Sequence, residues 1–125
     1  DVVRAAAAID GNRIGDIGHA VQKLAESYRF GVVRELTGHG IGRNMHEDPS
    51  VPNYGLPGHG TRLKNGMVIA IEPMITLGSY RVMEMPDGWT IKTVDGSACA
   101  HYEHTVAVTP QGPELLTFPG YRFPG

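Results

Sequence analysis

Met67-Val68-Ile69-Ala70-Ile71-Glu72-Pro73-Met74 decides the fold of this chain. Five apolar residues in a row, without polar alternation, read as a strand buried on both faces. Glu72 ends that strand and Pro73 follows it, so the carboxylate is carried into or beside the core. A buried carboxylate costs several kcal/mol unless it is paired or metal-bound. The alternative is a strand-end glutamate that reaches solvent.

Working outward, Leu63-Lys64-Asn65-Gly66 turns into this strand. Upstream, residues 37 to 62 are Gly, Pro, His and Asn without a period, and read mostly as a loop. A loop of that length in a small domain is usually functional or disordered. Before it, Val32 to Leu36 reads as a short strand. Ile14, Ile17, Val21, Leu24 and Tyr28 are spaced by three and four, one face of an amphipathic helix, with Asp16 in its first turn. Asp1 to Ile9 is Ala-rich and predicts another helix. Downstream, Tyr80 to Met85 and Trp89 to Val94 form a hairpin around Pro86-Asp87-Gly88. Tyr102 to Val108 alternates as a strand, Glu114 to Thr117 follows a turn, and 118–125 reads as a loose tail. Helices first and strands later give an α/β (α+β) chain with a largely antiparallel, curved sheet.

Three residues far apart in sequence could share chemistry. His39 lies in Gly38-His39-Gly40-Ile41-Gly42, where glycine lets the backbone pass close to a ligand. A Gly-rich turn with a surface histidine is the alternative. Glu103 shares a strand face with the small residues Thr105 and Ala107, as a site floor would, although alone it reads as a solvent-facing acid. His101 and His104 fall on the opposite face by strand alternation and are not expected to be ligands. One imidazole with carboxylates suits Mn, Fe(II), Co or Zn and can activate water. His46, seven residues after His39, is either part of a polar turn or a donor to bound substrate. Ser97 lacks a nucleophile motif and Cys99 reads as a small apolar filler. Trp89 is first a hairpin-tip residue and secondly a pocket wall.

The bulk numbers narrow the setting. At 125 residues the chain is at most one domain. A net charge of −2 offers no electrostatic case for nucleic acid or an anionic membrane. A single cysteine excludes an internal disulfide and fits a reducing compartment, so the cytoplasm is expected. No apolar run approaches a membrane span.

Taken together, these strings resemble the type I methionine aminopeptidases of the pita-bread fold. The matching pieces are Gly38 to Gly42 with His46-Glu47-Asp48-Pro49, Leu63 to Met67, Ile71 to Met74, Asp87-Gly88-Trp89-Thr90, and Ala100 to Thr105. The resemblance runs from about Gly15 to Thr117. It implies a curved antiparallel sheet with helices on one face, and a cytosolic hydrolase that removes the initiator methionine from nascent chains. It implies two divalent metal ions held by two Asp, one His and two Glu. His39, Glu72 and Glu103 would be the last three, with Glu103 bridging the metals and Glu72 also the general base. His46 would contact the substrate, and Met45 and Trp89 would line the pocket for the methionine side chain. The family carries an aromatic residue at the position of Met45 in many members. Neither Asp ligand is matched: Asp1, Asp10 and Asp16 fall on or beside helices and Asp95 in a turn. The expectation is a C-terminal half, inactive alone, whose partner is the missing half with both Asp ligands. Such a half leaves an open sheet edge. A noncatalytic half that binds another chain, and an X-Pro peptidase of the same fold, are the rival expectations.

Overall fold

The computed structural model describes residues 8–117. One helix, α1 (Ile14–Ser27), precedes ten short strands. These are β1 (Gly31–Val32), β2 (Gly38–Ile41), β3 (Glu47–Val51), β4 (Val68–Ile71), β5 (Met74–Thr76), β6 (Val82–Glu84), β7 (Ile91–Thr93), β8 (Cys99–His101), β9 (His104–Thr109) and β10 (Gly112–Leu115). They form a five-stranded sheet in the order β10-β9-β4-β2-β3, a three-stranded sheet β1-β5-β8 and the hairpin β6-β7. Every pairing between these strands is antiparallel.

The helix expected from the spacing of Ile14, Ile17 and Val21 is present, and that face is buried. Its first turn is held by Asp16, whose carboxylate accepts the Arg13 N–H at 2.7 Å and the Gly58 N–H at 2.8 Å. Both bonds favour the ionised form and lower the Asp16 pKa. Ile14, Ile17 and Val21 join Leu63, Ile69, Ile71, Val106 and Val108 in one apolar cluster. The register explains which side of the sheet this is. Ile69 pairs with Val106, so both point to the α1 side, while Ala70 pairs with Thr105 and with His39 on the other side. The five-stranded sheet therefore has a packed face and a chemical face.

Residues 37 to 62 are mostly loop as expected, but β2 and β3 also lie within them. Glycines at 38 and 40 hide β2 from any apolar period. Three expectations change. The strand expected over Val32 to Leu36 shortens to Gly31–Val32. Tyr102 to Val108 is not one strand: β8 ends at His101 and β9 begins at His104, so Glu103 precedes its strand. A single α-helix is present among the described residues. The helix expected over Asp1 to Ile9 falls mostly outside them, and Ala8 and Ile9 are not helical. The tail 118–125 also lies outside them.

The hairpin expected around Pro86-Asp87-Gly88 is β6-β7, and Asp95 ties its base. The Asp95 carboxylate accepts the N–H of Ser79 at 2.8 Å and that of Ser97 at 3.0 Å. These bonds, Ser79 first, pull its pKa down to about 2. A folded value below the unfolded one of about 4 stabilises the fold above pH 4 and is lost as pH falls toward 2. Asp95→Asn removes this contribution. Urea midpoints measured between pH 5 and about 2 should then fall less steeply for the variant than for the parent. Equal slopes would show that Asp95 is not linked to folding.

Candidate metal centre

The chemical face is built around β2. A Cβ on Gly38 would strike the backbone carbonyl oxygen of Ala70, and one on Gly40 would strike that of Asp48. Glycine at both positions lets β2 sit tightly between β3 and β4. His39 is the side chain between them, and it projects over Ala70, the smallest side chain in its row. Its Nδ1 lies 3.0 Å from the Gly40 carbonyl oxygen. A carbonyl can only accept, so Nδ1 carries the proton and the lone pair of a neutral ring sits on Nε2.

That Nε2 stands 2.9 Å from Glu72 Oε2, with only 15% of the His39 side chain and 17% of the Glu72 side chain exposed. Two electron-rich atoms cannot share so dry a place without a cation or an added proton between them. The Glu72 backbone is fixed independently: fully buried Asn53 donates to its carbonyl oxygen at 3.2 Å, and Pro73 locks the next residue.

Glu103 arrives through register. Ala70 pairs with Thr105, and continuing one step along the same face sets Glu72 across from Glu103. Both acids lie in joints between sheets. Glu72 lies in the link from β4 to β5, and Glu103 in the link from β8 to β9. Ligand atoms of His39, Glu72 and Glu103 all lie within 4.8 Å of one another. Metal bonds of about 2.1 Å place donors roughly 3–4 Å apart, so these three stand close to chelating distance. The three residues therefore fit a divalent metal in geometry and in donor chemistry: one imidazole with a fixed tautomer and two carboxylates.

The His46 ring centroid lies 4.1 Å from that of His39, tilted by 46°. Both line a cleft of about 660 Å³ with Thr37, Asn44, Glu47 and Asp48. Met45 and Trp89 are not among its lining residues and are 74% and 79% exposed. Trp89 sits on the turn between β6 and β7, where Asp87 accepts its N–H at 3.1 Å.

Sequence reasoning missed two residues. Asn53 gives no signal, being one polar residue in a polar stretch. His101 is expected on the face opposite Glu103, but residues two apart share a strand face, so alternation itself sets His101 with Glu103. Its Nε2 lies 3.6 Å from Glu72 Oε1.

The pattern that describes metallopeptidase family M24 matches residues 2–110. The chain belongs to metallopeptidase family M24. Among its relatives, the methionine aminopeptidase of Clostridium acetobutylicum is 56% identical over 110 residues, covering 88% of this chain and 44% of that protein. The crystal structure of methionine aminopeptidase from Thermotoga maritima superposes with a TM-score of 0.87 at 51% identity, over 91% of this chain and 46% of that one. A prolidase from Pyrococcus furiosus is more distant, with a TM-score of 0.65 at 26% identity, over 94% of this chain and 29% of that one. The fold is therefore the pita-bread fold of the M24 peptidases, and the chain spans under half the length of these relatives. Membership implies divalent metal at the centre. Among the described residues no helix is long and apolar enough to cross a membrane.

Proposed function

We propose that this chain supplies the C-terminal half of a cytoplasmic methionine aminopeptidase that holds two divalent ions, Co, Mn, Fe or Zn. The observation that carries this reading is the convergence of His39, Glu72 and Glu103 within 4.8 Å on one face of an M24 sheet. Two aspartates from the N-terminal half complete the set. Bound metal supplies Lewis acidity at the scissile carbonyl and makes water a nucleophile near neutral pH. Glu72 takes a proton from the attacking water at a carboxylate oxygen. His39 keeps its Nε2 free because Gly40 engages Nδ1. His46, tilted against the His39 ring, donates to the substrate carbonyl oxygen as charge develops there. Met45 and Trp89, both exposed here, wall the methionine side chain once the halves are joined. The substrate is the N-terminus of a peptide or nascent protein that begins with methionine.

The greater likeness to methionine aminopeptidases than to prolidase favours this substrate over X-Pro peptides. Incubated with Mn or Co, the chain alone should release no methionine from Met-Ala-Ser. The chain joined to the N-terminal segment of its relatives should do so, in preference to X-Pro peptides. Metal-dependent release by the chain alone would refute the missing-ligand reading. Preferential cleavage of X-Pro peptides would refute the substrate.

A further inference from the structure

Glu72 has two oxygens, and the proposed metal site accounts for one. Oε2 faces His39 Nε2 at 2.9 Å, whereas Oε1 faces His101 Nε2 at 3.6 Å. His101 is delivered there by backbone. It ends β8, paired with Met74 at the start of β5, and the next residue, Tyr102, donates its N–H to the Pro73 carbonyl oxygen at 3.2 Å. The segment carrying His101 is thus tied to Pro73 and Met74, the two residues that follow Glu72. The imidazole itself is 47% exposed. Its separation exceeds a hydrogen bond by roughly half an ångström, within reach of one side-chain torsion.

We propose that His101 is a positioning residue for Glu72. Its Nε2–H engages Oε1, which leaves Oε2 as the single oxygen that Glu72 turns toward metal beside His39. The inference rests on the metal-centre reading, because its consequence is a fixed orientation of a ligand. Groups that orient metal ligands in this way typically change metal affinity or activity by 10–100-fold when removed.

Two readouts on the whole protein test it. Calorimetric metal titration should show His101→Leu binding Mn or Co at least about 10-fold more weakly, with kcat on Met-Ala-Ser lowered similarly and KM little changed. His101→Gln, which retains an uncharged N–H donor, should recover most of both losses. NMR of the metal-free protein at one fixed pH should show the His101 ring Nε2–H signal shifting on Glu72→Gln substitution. A merely structural histidine would not give the Gln rescue or that shift. If His101→Leu binds metal like the parent, or Gln is no better than Leu, the proposal is wrong. If the parent binds no metal and releases no methionine, the aminopeptidase reading fails. The NMR arm then decides alone: an unmoved His101 signal overturns the positioning contact, and a moved one sustains it.

Discussion

Glu72→Ala is expected to abolish metal-dependent stabilisation while leaving the metal-free protein almost as stable as before. With metal at about 100 times its dissociation constant, the parent should gain roughly 2.7 kcal/mol, read as a raised unfolding midpoint. At the same metal concentration the variant should gain almost nothing. Removing a residue that merely orients a ligand costs 10–100-fold in affinity, and loss of the ligand itself exceeds the upper end of that range. The metal-free comparison separates two roles for the same side chain. The Glu72 carboxylate is mostly buried, 2.9 Å from His39 Nε2. If its purpose were to pair with His39 in the folded chain, alanine would leave a buried partner uncompensated and cost about 3–5 kcal/mol without any metal present. If its purpose is to hold metal, the metal-free fold loses little, within about 1 kcal/mol, because the desolvation of a carboxylate is also removed. Thermal or urea unfolding of both proteins, with and without Mn, distinguishes the cases. A loss of about 3–5 kcal/mol in the metal-free protein, or an unchanged metal response, would sink the ligand assignment.

Legibility from sequence followed the kind of signal each element carries. The α1 face was readable because Ile14, Ile17 and Val21 contact the core as side chains, at helical spacing. Strand β4 was readable because Val68 to Ile71 is apolar throughout. Strand β2 was not, because it packs through backbone: Gly38 and Gly40 are buried and have no side chain to form a period. The likeness to methionine aminopeptidases named His39, Glu72 and Glu103, and the structure brings those three together. His101 was legible: it stands two residues before Glu103, and residues two apart share a strand face. The break between β8 and β9 was not legible in its own residues. Its signal stood on the opposite strand. Pro73 has no N–H to give the ladder, so the β4–β9 pairing must stop beside it. Asn53 owes its importance to burial against the Glu72 carbonyl, a tertiary fact with no local signature.

Gly38→Ala should damage the centre as severely as loss of a ligand, through the backbone alone. The added Cβ would collide with the Ala70 carbonyl oxygen, and the Glu72 nitrogen lies 3.4 Å away. Neither atom can swing aside, because both belong to the main chain around β4 and the Ala70 row of the ladder joins β4 to β2 and β9. Relief requires β2 to move away from β4. Forcing a methyl into a packed interior costs about 1–3 kcal/mol, and the disturbed ladder adds to it. His39 travels with β2, and a displacement of about 1 Å in a positioned group costs on the order of 100-fold in function. Gly42→Ala is the matched control. Its Cβ would first meet the carboxylate end of Glu47, a flexible and partly exposed side chain that can turn away. That variant should stay within about 0.5 kcal/mol of the parent and bind metal normally. Urea midpoints and metal titration of the two variants side by side give the answer. If Gly38→Ala matches Gly42→Ala in both, the close approach of β2 to β4 is not what sets His39 in place.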